Sequence, residues 1–249
     1  MSPSPGSRVD FGRRAERYDA VRPVDDNWWE VYELVARKAD LRGRRVLDVG
    51  CGTGRLSAAL VERARARVWG VDASPEMLVV AKEKVEGVAF KLARAESLPF
   101  KDGWFERAVL WLTLHLVDRP SALAEVRRVL GDDGRVAVVS FDESHFDGFW
   151  LSRYLPSLER ADRARFPTHE QLVAELRTAG FGSVEAVRLD QRAVLSRDDA
   201  LLRMRERHIS TFDLIDEREI EVGIADAERT LPDTVEYHLR WLVAFGSAA

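Results

Sequence analysis

The spacing of apolar positions changes period repeatedly along the chain. In "FGRRAERYDAVRPVDDNWWEVYELVARKADL", Trp28, Val31, Tyr32 and Val35 recur at three- and four-residue intervals, which predicts an N-terminal helix. The short β-branched run "RRVLDVG" predicts a strand, and "TGRLSAALVERA" returns to helical spacing through Leu56, Ala59, Leu60 and Ala64. "RVWGVDAS" reads as a second strand. "SPEMLVVAKEKV" begins with Ser74 as helix cap and Pro75 at the first helical position. "VAFKLARAESLPF", "RAVLWLTL" and "GRVAVVSF" supply three more strands with their exit loops, and "RPSALAEVRRVLGDDG" a helix closed by Gly131. Strands alternating with helices imply parallel pairing, right-handed crossovers and ligand sites at the carboxyl ends of the strands.

After Phe141 this rhythm breaks. "DESHFDGFWLSRYLPSLERADRARFP" carries Phe146, Phe149, Trp150 and Tyr154 and is expected to form a helix that caps the sheet edge. "THEQLVAELRTAGF" resumes regular structure, with Thr168 and Gln171 in capping-box spacing and Gly180 as the stop. Strands near "SVEAVRLDQRAVL" and "TVEYHLRWLVAF" complete the sheet, separated by a segment expected to hold two helices. The expected fold is α/β: a doubly wound, mostly parallel, seven-stranded Rossmann-like sheet with a helical cap insertion. One domain over 1–249 accommodates it, divided into a mobile tail (1–10), an N-terminal helical segment (11–42), a cofactor-binding core (43–141), a helical cap (142–166) and a C-terminal part of the sheet with a helical, substrate-side insertion (167–249).

Composition narrows the chemistry. The 249 residues carry a net charge of −4, and no cationic stripe with interleaved aromatics occurs, so nucleic acid is excluded as the expected partner. Thirty-three of the 38 basic residues are Arg, a bias that locates no site. The single cysteine, Cys51, leaves no internal disulfide and fits a reducing compartment. No apolar run reaches membrane-spanning length and no signal segment opens the chain, so a cytoplasmic location without membrane contact is expected.

"VLDVGCGTG", residues 46–54, holds the sharpest signal. A dinucleotide turn requires G-x-G-x-x-G facing a pyrophosphate, whereas Gly50, Gly52 and Gly54 put the third glycine one place early. Asp48, just before the turn, would repel phosphate and suits a ligand with an ammonium group; S-adenosylmethionine is such a ligand. Eighteen residues past Gly54, Asp72 ends the second strand, placed to accept from ribose hydroxyls in either case.

With "VWGVDASPEML", "ARAESLPF", "WFERAVLWLTLHLV" and "EVRRVLGDDGRVAVVSF" following in order, the segment from about 46 to 140 resembles the class I S-adenosylmethionine-dependent methyltransferases, in the small-molecule branch that includes ubiquinone/menaquinone biosynthesis enzymes. The resemblance implies that Asp48, Gly50, Cys51 and Gly52 line the methionine portion of the cofactor, with Cys51 a small packing residue. It implies that Asp72 holds the ribose, that Ala73 and Met77 flank the adenine, and that Ala95 and Glu96 meet its polar edge. Leu110 and Trp111, leaving the fourth strand, would neighbour the amino group or sulfonium. Tyr18 and Arg22, one helical turn apart, would cover the cofactor or bind its carboxylate. Arg94 stands where many relatives have an acid, and Glu106 replaces an aspartate, a change expected to be structural.

The acceptor side is read from position and type. His115 and His145 follow strands at the active-site edge, where either can take a proton from a substrate. Tyr18, His115, Phe146, Phe149, Trp150 and Tyr154 are the expected pocket residues, since ligand pockets are mostly apolar and aromatic. "LWLTLH" offers no carboxylate for a magnesium site, so no metal is expected. The expected function is transfer of a methyl group to O, N or C of a small, partly apolar metabolite, leaving S-adenosylhomocysteine, by a monomer or homodimer. A catalytically idle cofactor binder is the alternative; a nicotinamide oxidoreductase is disfavoured by the glycine spacing and Asp48.

Overall fold

The computed structural model describes residues 9, 15, 19–22 and 24–248. Tyr18, Ala249 and nearly all of the expected tail lie outside the described residues. Seven strands form one sheet in the order β3-β2-β1-β4-β5-β7-β6. β1 (Arg45–Val49), β2 (Arg67–Asp72), β3 (Val88–Leu92), β4 (Phe105–Trp111) and β5 (Leu130–Phe141) pair in parallel, and β7 (Thr234–Ala248) runs antiparallel between β5 and β6 (Phe181–Ser196). The order reverses between β1 and β4, which opens a crevice at the carboxyl ends of those strands.

Two apolar layers enclose the sheet. On one face α1 (Asp26–Lys38) and α2 (Arg55–Glu62) bury Trp28, Val31, Tyr32, Val35, Leu56 and Leu60 against Val46, Val109 and Val243. Val31 and Val35 cost a few tenths of a kcal/mol each in helix propensity, but burying each gains about 1.5–3 kcal/mol, so packing decides. On the other face α4 (Arg119–Val129) and α6 (His169–Thr178) cover Leu47, Leu110 and Val138. The α3 helix (Pro75–Lys84) follows β2, capped by the Ser74 side chain. The capping box of α6 is complete, and Gly180 follows at φ +92°.

Two expectations about local structure are corrected. Gly131 does not close α4: the chain turns extended at Leu130 and pairs at once with Phe105, so strand pairing ends the helix. The cap is not one helix. It comprises two 3-10 turns, Glu143–Phe146 and Trp150–Arg153, and a short α5 (Ser157–Arg163). Gly148 lies between them at φ +67°, which breaks the helix, and Pro156 fixes the entry to α5.

β6 and β7 outrun the sheet. Pairing of β7 with β5 stops at Phe141↔Trp241, whereas β6–β7 pairing continues to Ser196↔Thr234. The extension, with α7 (Arg197–Arg205) and α8 (Glu217–Thr230), joins the cap in a third apolar cluster through Leu155, Leu158, Leu195, Met204, Phe212 and Val235. Among the described residues no helix is long and apolar enough to cross a membrane.

Candidate active site

The turn after β1 is shaped by glycine. Gly50, Gly52 and Gly54 all have positive φ. A Cβ on Gly50 would lie 2.3 Å from Thr113 Cγ2, so no other residue permits the exits of β1 and β4 to approach this closely. At Gly52 the same Cβ would meet nothing within 4 Å, because the backbone there faces open space. The Gly50 and Cys51 N–H groups donate to the Val71 carbonyl, which ties the turn to β2.

Two carboxylates flank this turn. Asp48 is 1% exposed and accepts from Ser57 Oγ at 2.7 Å. Burial pushes its pKa up to about 7, against the Ser57 hydrogen bond, and the Asp72 charge adds to the rise. Asp72 accepts from Gly52 N at 2.8 Å and Ser74 N at 2.9 Å, and burial raises its pKa. Each Asp72 oxygen keeps room for a further donor. Burial raises the Cys51 thiol far above its usual range, so it is an inert packing group.

Asp19, which the sequence reading passed over between Tyr18 and Arg22, binds three elements of this region. It accepts from Thr53 Oγ1 at 2.7 Å, from Arg55 at 3.0 Å and from Lys84 at 2.8 Å. Its pKa is lowered although burial acts to raise it, because those donors outweigh desolvation.

From the glycine turn a cavity of about 260 Å³ runs to the cap. Of the sequence-predicted residues, Arg22, Asp48, Gly50, Cys51, Gly52, Trp111, His115, His145, Phe146, Phe149 and Trp150 line it. Asp72, Ala73, Met77, Ala95 and Glu96 are not among its lining residues; they lie at or after the ends of β2 and β3, and Asp72 meets the turn through the Gly52 N–H. Glu96 Oε1 accepts from the Asp118 N–H at 3.0 Å and from Arg94 at 3.1 Å, while its buried Oε2 has no hydrogen-bond partner among the described residues. Leu110 is fully buried in the core instead, because strand alternation gives the cavity to Trp111. Tyr154 belongs to the cap's own core, where its hydroxyl accepts from Thr230 at 3.4 Å. Glu106 lies away from the cavity and accepts from the Arg45 N–H at 2.9 Å.

Both histidines are buried in aromatic stacks. His115 lies 4.0 Å from Phe166 and His145 4.0 Å from Phe141, ring centroid to ring centroid. Burial, with Arg165 and Arg22 nearby, holds the His115 pKa well below its ordinary value, and burial takes His145 down to about 4. Both are neutral at pH 7.

The cavity's far wall contains polar groups the sequence reading did not single out. Arg165 donates to Asp162 at 2.7 Å, Thr211 at 2.8 Å and Ser210 at 3.2 Å, all four residues being nearly inaccessible. Arg203 Nη1 donates to the Tyr237 hydroxyl at 3.3 Å. Arg22 Nε donates to the His208 carbonyl at 2.8 Å, which brings the N-terminal segment against this wall.

This geometry can be set beside known proteins. A family profile described as a methyltransferase domain matches residues 46–134. The demethylmenaquinone methyltransferase of Thermus thermophilus is 32% identical over 206 residues, covering 69% of this chain and 90% of that protein. The chain belongs to the class I S-adenosylmethionine-dependent methyltransferases. The malonyl-[acyl-carrier protein] O-methyltransferase of Geobacter sulfurreducens is 35% identical over 195 residues, covering 73% of this chain and 72% of that one. Several other relatives are matched over only 46–62% of their own length. The crystal structure of a putative methyltransferase from an antibiotic biosynthesis pathway of Anabaena variabilis shares the fold, with a TM-score of 0.70 at 22% identity over 86% of this chain and 96% of that one.

The residues present fit this family's methyl donor. Two buried carboxylates flank the glycine turn, a poor setting for pyrophosphate and a good one for an ammonium group and ribose hydroxyls.

Proposed function

We propose that this methyltransferase moves a methyl group to a small, partly apolar acceptor held in the aromatic cavity. The observation that carries this reading is the continuity of the cavity from the carboxylate-flanked glycine turn to the aromatic cap. The two relatives named above act, by their names, on different acceptors, so the family does not choose the acceptor.

S-adenosylmethionine supplies an electrophilic methyl on a sulfonium, a good leaving group, so alignment and water exclusion account for most of the acceleration asked of the protein. In this reading Asp48 receives the ammonium, Gly50 and Gly52 allow close backbone approach, Asp72 accepts from the ribose, and Ala73, Met77, Ala95 and Glu96 surround the adenine. Arg22 faces the carboxylate. Trp111, Phe146, Phe149 and Trp150 exclude water and orient the acceptor. His115 and His145 both line the cavity as neutral imidazoles, and in this reading either takes the proton of a hydroxyl nucleophile.

Thermal denaturation with S-adenosylhomocysteine, S-adenosylmethionine and NAD tests the donor assignment. Both S-adenosyl ligands should raise the Tm and NAD should not, and Arg22→Ala should lose more than half of the shift. Stabilisation by NAD alone would overturn the reading.

A further inference from the structure

The cavity's cap end holds two guanidiniums of different standing. Arg165 is ion-paired with Asp162 at 2.7 Å and donates to two hydroxyls, with only its Nε left without a partner among the described residues. Arg203 is not. Half-buried on α7 and lining the cavity, it has the Tyr237 hydroxyl as its side-chain partner, and among the described residues no carboxylate reaches ion-pair distance.

The other acids on the cavity wall are committed elsewhere. Asp48 is bound by Ser57 at the glycine turn, and Asp25 caps α1 by accepting the Trp28 N–H at 2.9 Å, although its charge still reaches the Tyr237 hydroxyl. Among the described residues the positive charge of Arg203 therefore has no direct ion-pair partner, and it stands in an aromatic-walled space, where it acts at greater strength than in water. Its backbone is fixed, since the His208 N–H and ring Nδ1 both meet the Arg203 carbonyl. The Tyr237 hydroxyl accepts from Arg203 and keeps its own proton to donate, so two donors converge on one spot. Phe149 stands edge-on to the Tyr237 ring at 5.8 Å, which leaves aromatic walls beside those donors.

We propose that the acceptor is a planar aromatic compound carrying a carboxylate, and that Arg203 and Tyr237 receive the carboxylate at the cap end of the cavity. The inference rests on the methyl-transfer reading for the word acceptor, while the anion site stands on its own geometry. Arg203 and Tyr237 act here as specificity-determining residues: they hold the acceptor by a group other than the one that is methylated.

Calorimetric titration of 2-naphthoate and its neutral match 2-naphthamide tests this, with the protein saturated by S-adenosylhomocysteine and again without it. The parent should bind the carboxylate at least about tenfold more tightly than the amide, as expected for a charge-assisted contact. Arg203→Gln should bring the two within about twofold, Arg203→Lys should fall between, and Tyr237→Phe should lower the preference about threefold. Equal binding of acid and amide by the parent overturns the proposal. So does an undiminished preference in a folded Arg203→Gln protein, or failure of both probes to bind while S-adenosylhomocysteine binds. Should Arg203→Gln not fold, the parent's ratio and Tyr237→Phe still decide. Failure of S-adenosylhomocysteine itself to bind counts against the methyltransferase reading and leaves the acid-to-amide ratio measurable.

Discussion

The glycine turn and the cap wall both hold buried polar groups, and they solve the same physical problem in opposite ways. At the turn, buried carboxylates are held by neighbours in one strand-turn-helix-strand unit: Asp48 by Ser57, Asp72 by Gly52 and Ser74. Among the described residues neither has a cation at its side chain, and burial raises both pKa values, so this end suits positive charge. At the cap wall, Asp162 meets Arg165 three residues away and Thr211 from 49 residues away, and Arg203 meets Tyr237 across the β6–β7 insertion. That end has one buried ion pair, in which burial still raises the Asp162 pKa, and, among the described residues, one wall arginine without an ion-pair partner. A cavity with a carboxylate-rich end and an arginine-bearing end orients a ligand pair by charge before any shape is considered.

The sharpest way to break this comparison is Arg165→Met. It strands Asp162 in a buried site with Thr211 as its remaining partner, and loss of one member of a buried pair costs about 3–5 kcal/mol. Denaturant unfolding should show that loss, and Asp162→Leu combined with Arg165→Met should recover most of it. A loss below 1 kcal/mol would mean that the pair contributes nothing to the wall.

At the turn the effect should fall on binding. Gly50→Ala places a Cβ against Thr113 at a φ of +72° and should weaken S-adenosylhomocysteine about a hundredfold by calorimetry, while Gly52→Ala, with open space at its Cβ, should cost less.

The smallest expected effect concerns pH. Asp48, raised from 3.8 to about 7, holds its proton in the folded, ligand-free protein below that value, and a ligand ammonium favours the ionised form. Affinity for S-adenosylhomocysteine should therefore rise about tenfold between pH 6 and 8 and level off above. Asp48→Asn should bind weakly with a flat profile, and an unchanged slope in that variant would assign the titration elsewhere.

The same contrast explains what was legible in the sequence. The five parallel strands, the caps at Ser74 and Thr168, and the turn itself are written in spacings of a few residues, so "VLDVGCGTG" and Asp72 could be read directly. The cap was legible only as an aromatic patch. Its division into short turns depended on Gly148 adopting positive φ, and its polar wall joins residues from 162 to 237 that meet only after folding. Arg203 is one of 33 arginines, and nothing local distinguishes it. Asp19 was missed for a related reason: its partners Thr53, Arg55 and Lys84 lie on three later segments. Leu110 and Trp111 were assigned together although strand pleat sends adjacent side chains to opposite faces.

Four of the seven tryptophans, Trp28, Trp111, Trp150 and Trp241, stand on the cavity wall. Trp28 and Trp111 are 5.0 Å apart, and Trp241 stacks on Phe141 at 4.7 Å. A bound aromatic acceptor would enter the near field of these indoles, and a sulfonium would sit within reach of their excited states. The chain thus carries its own optical reporter, so occupancy of either end can be followed in the unlabelled protein by its emission.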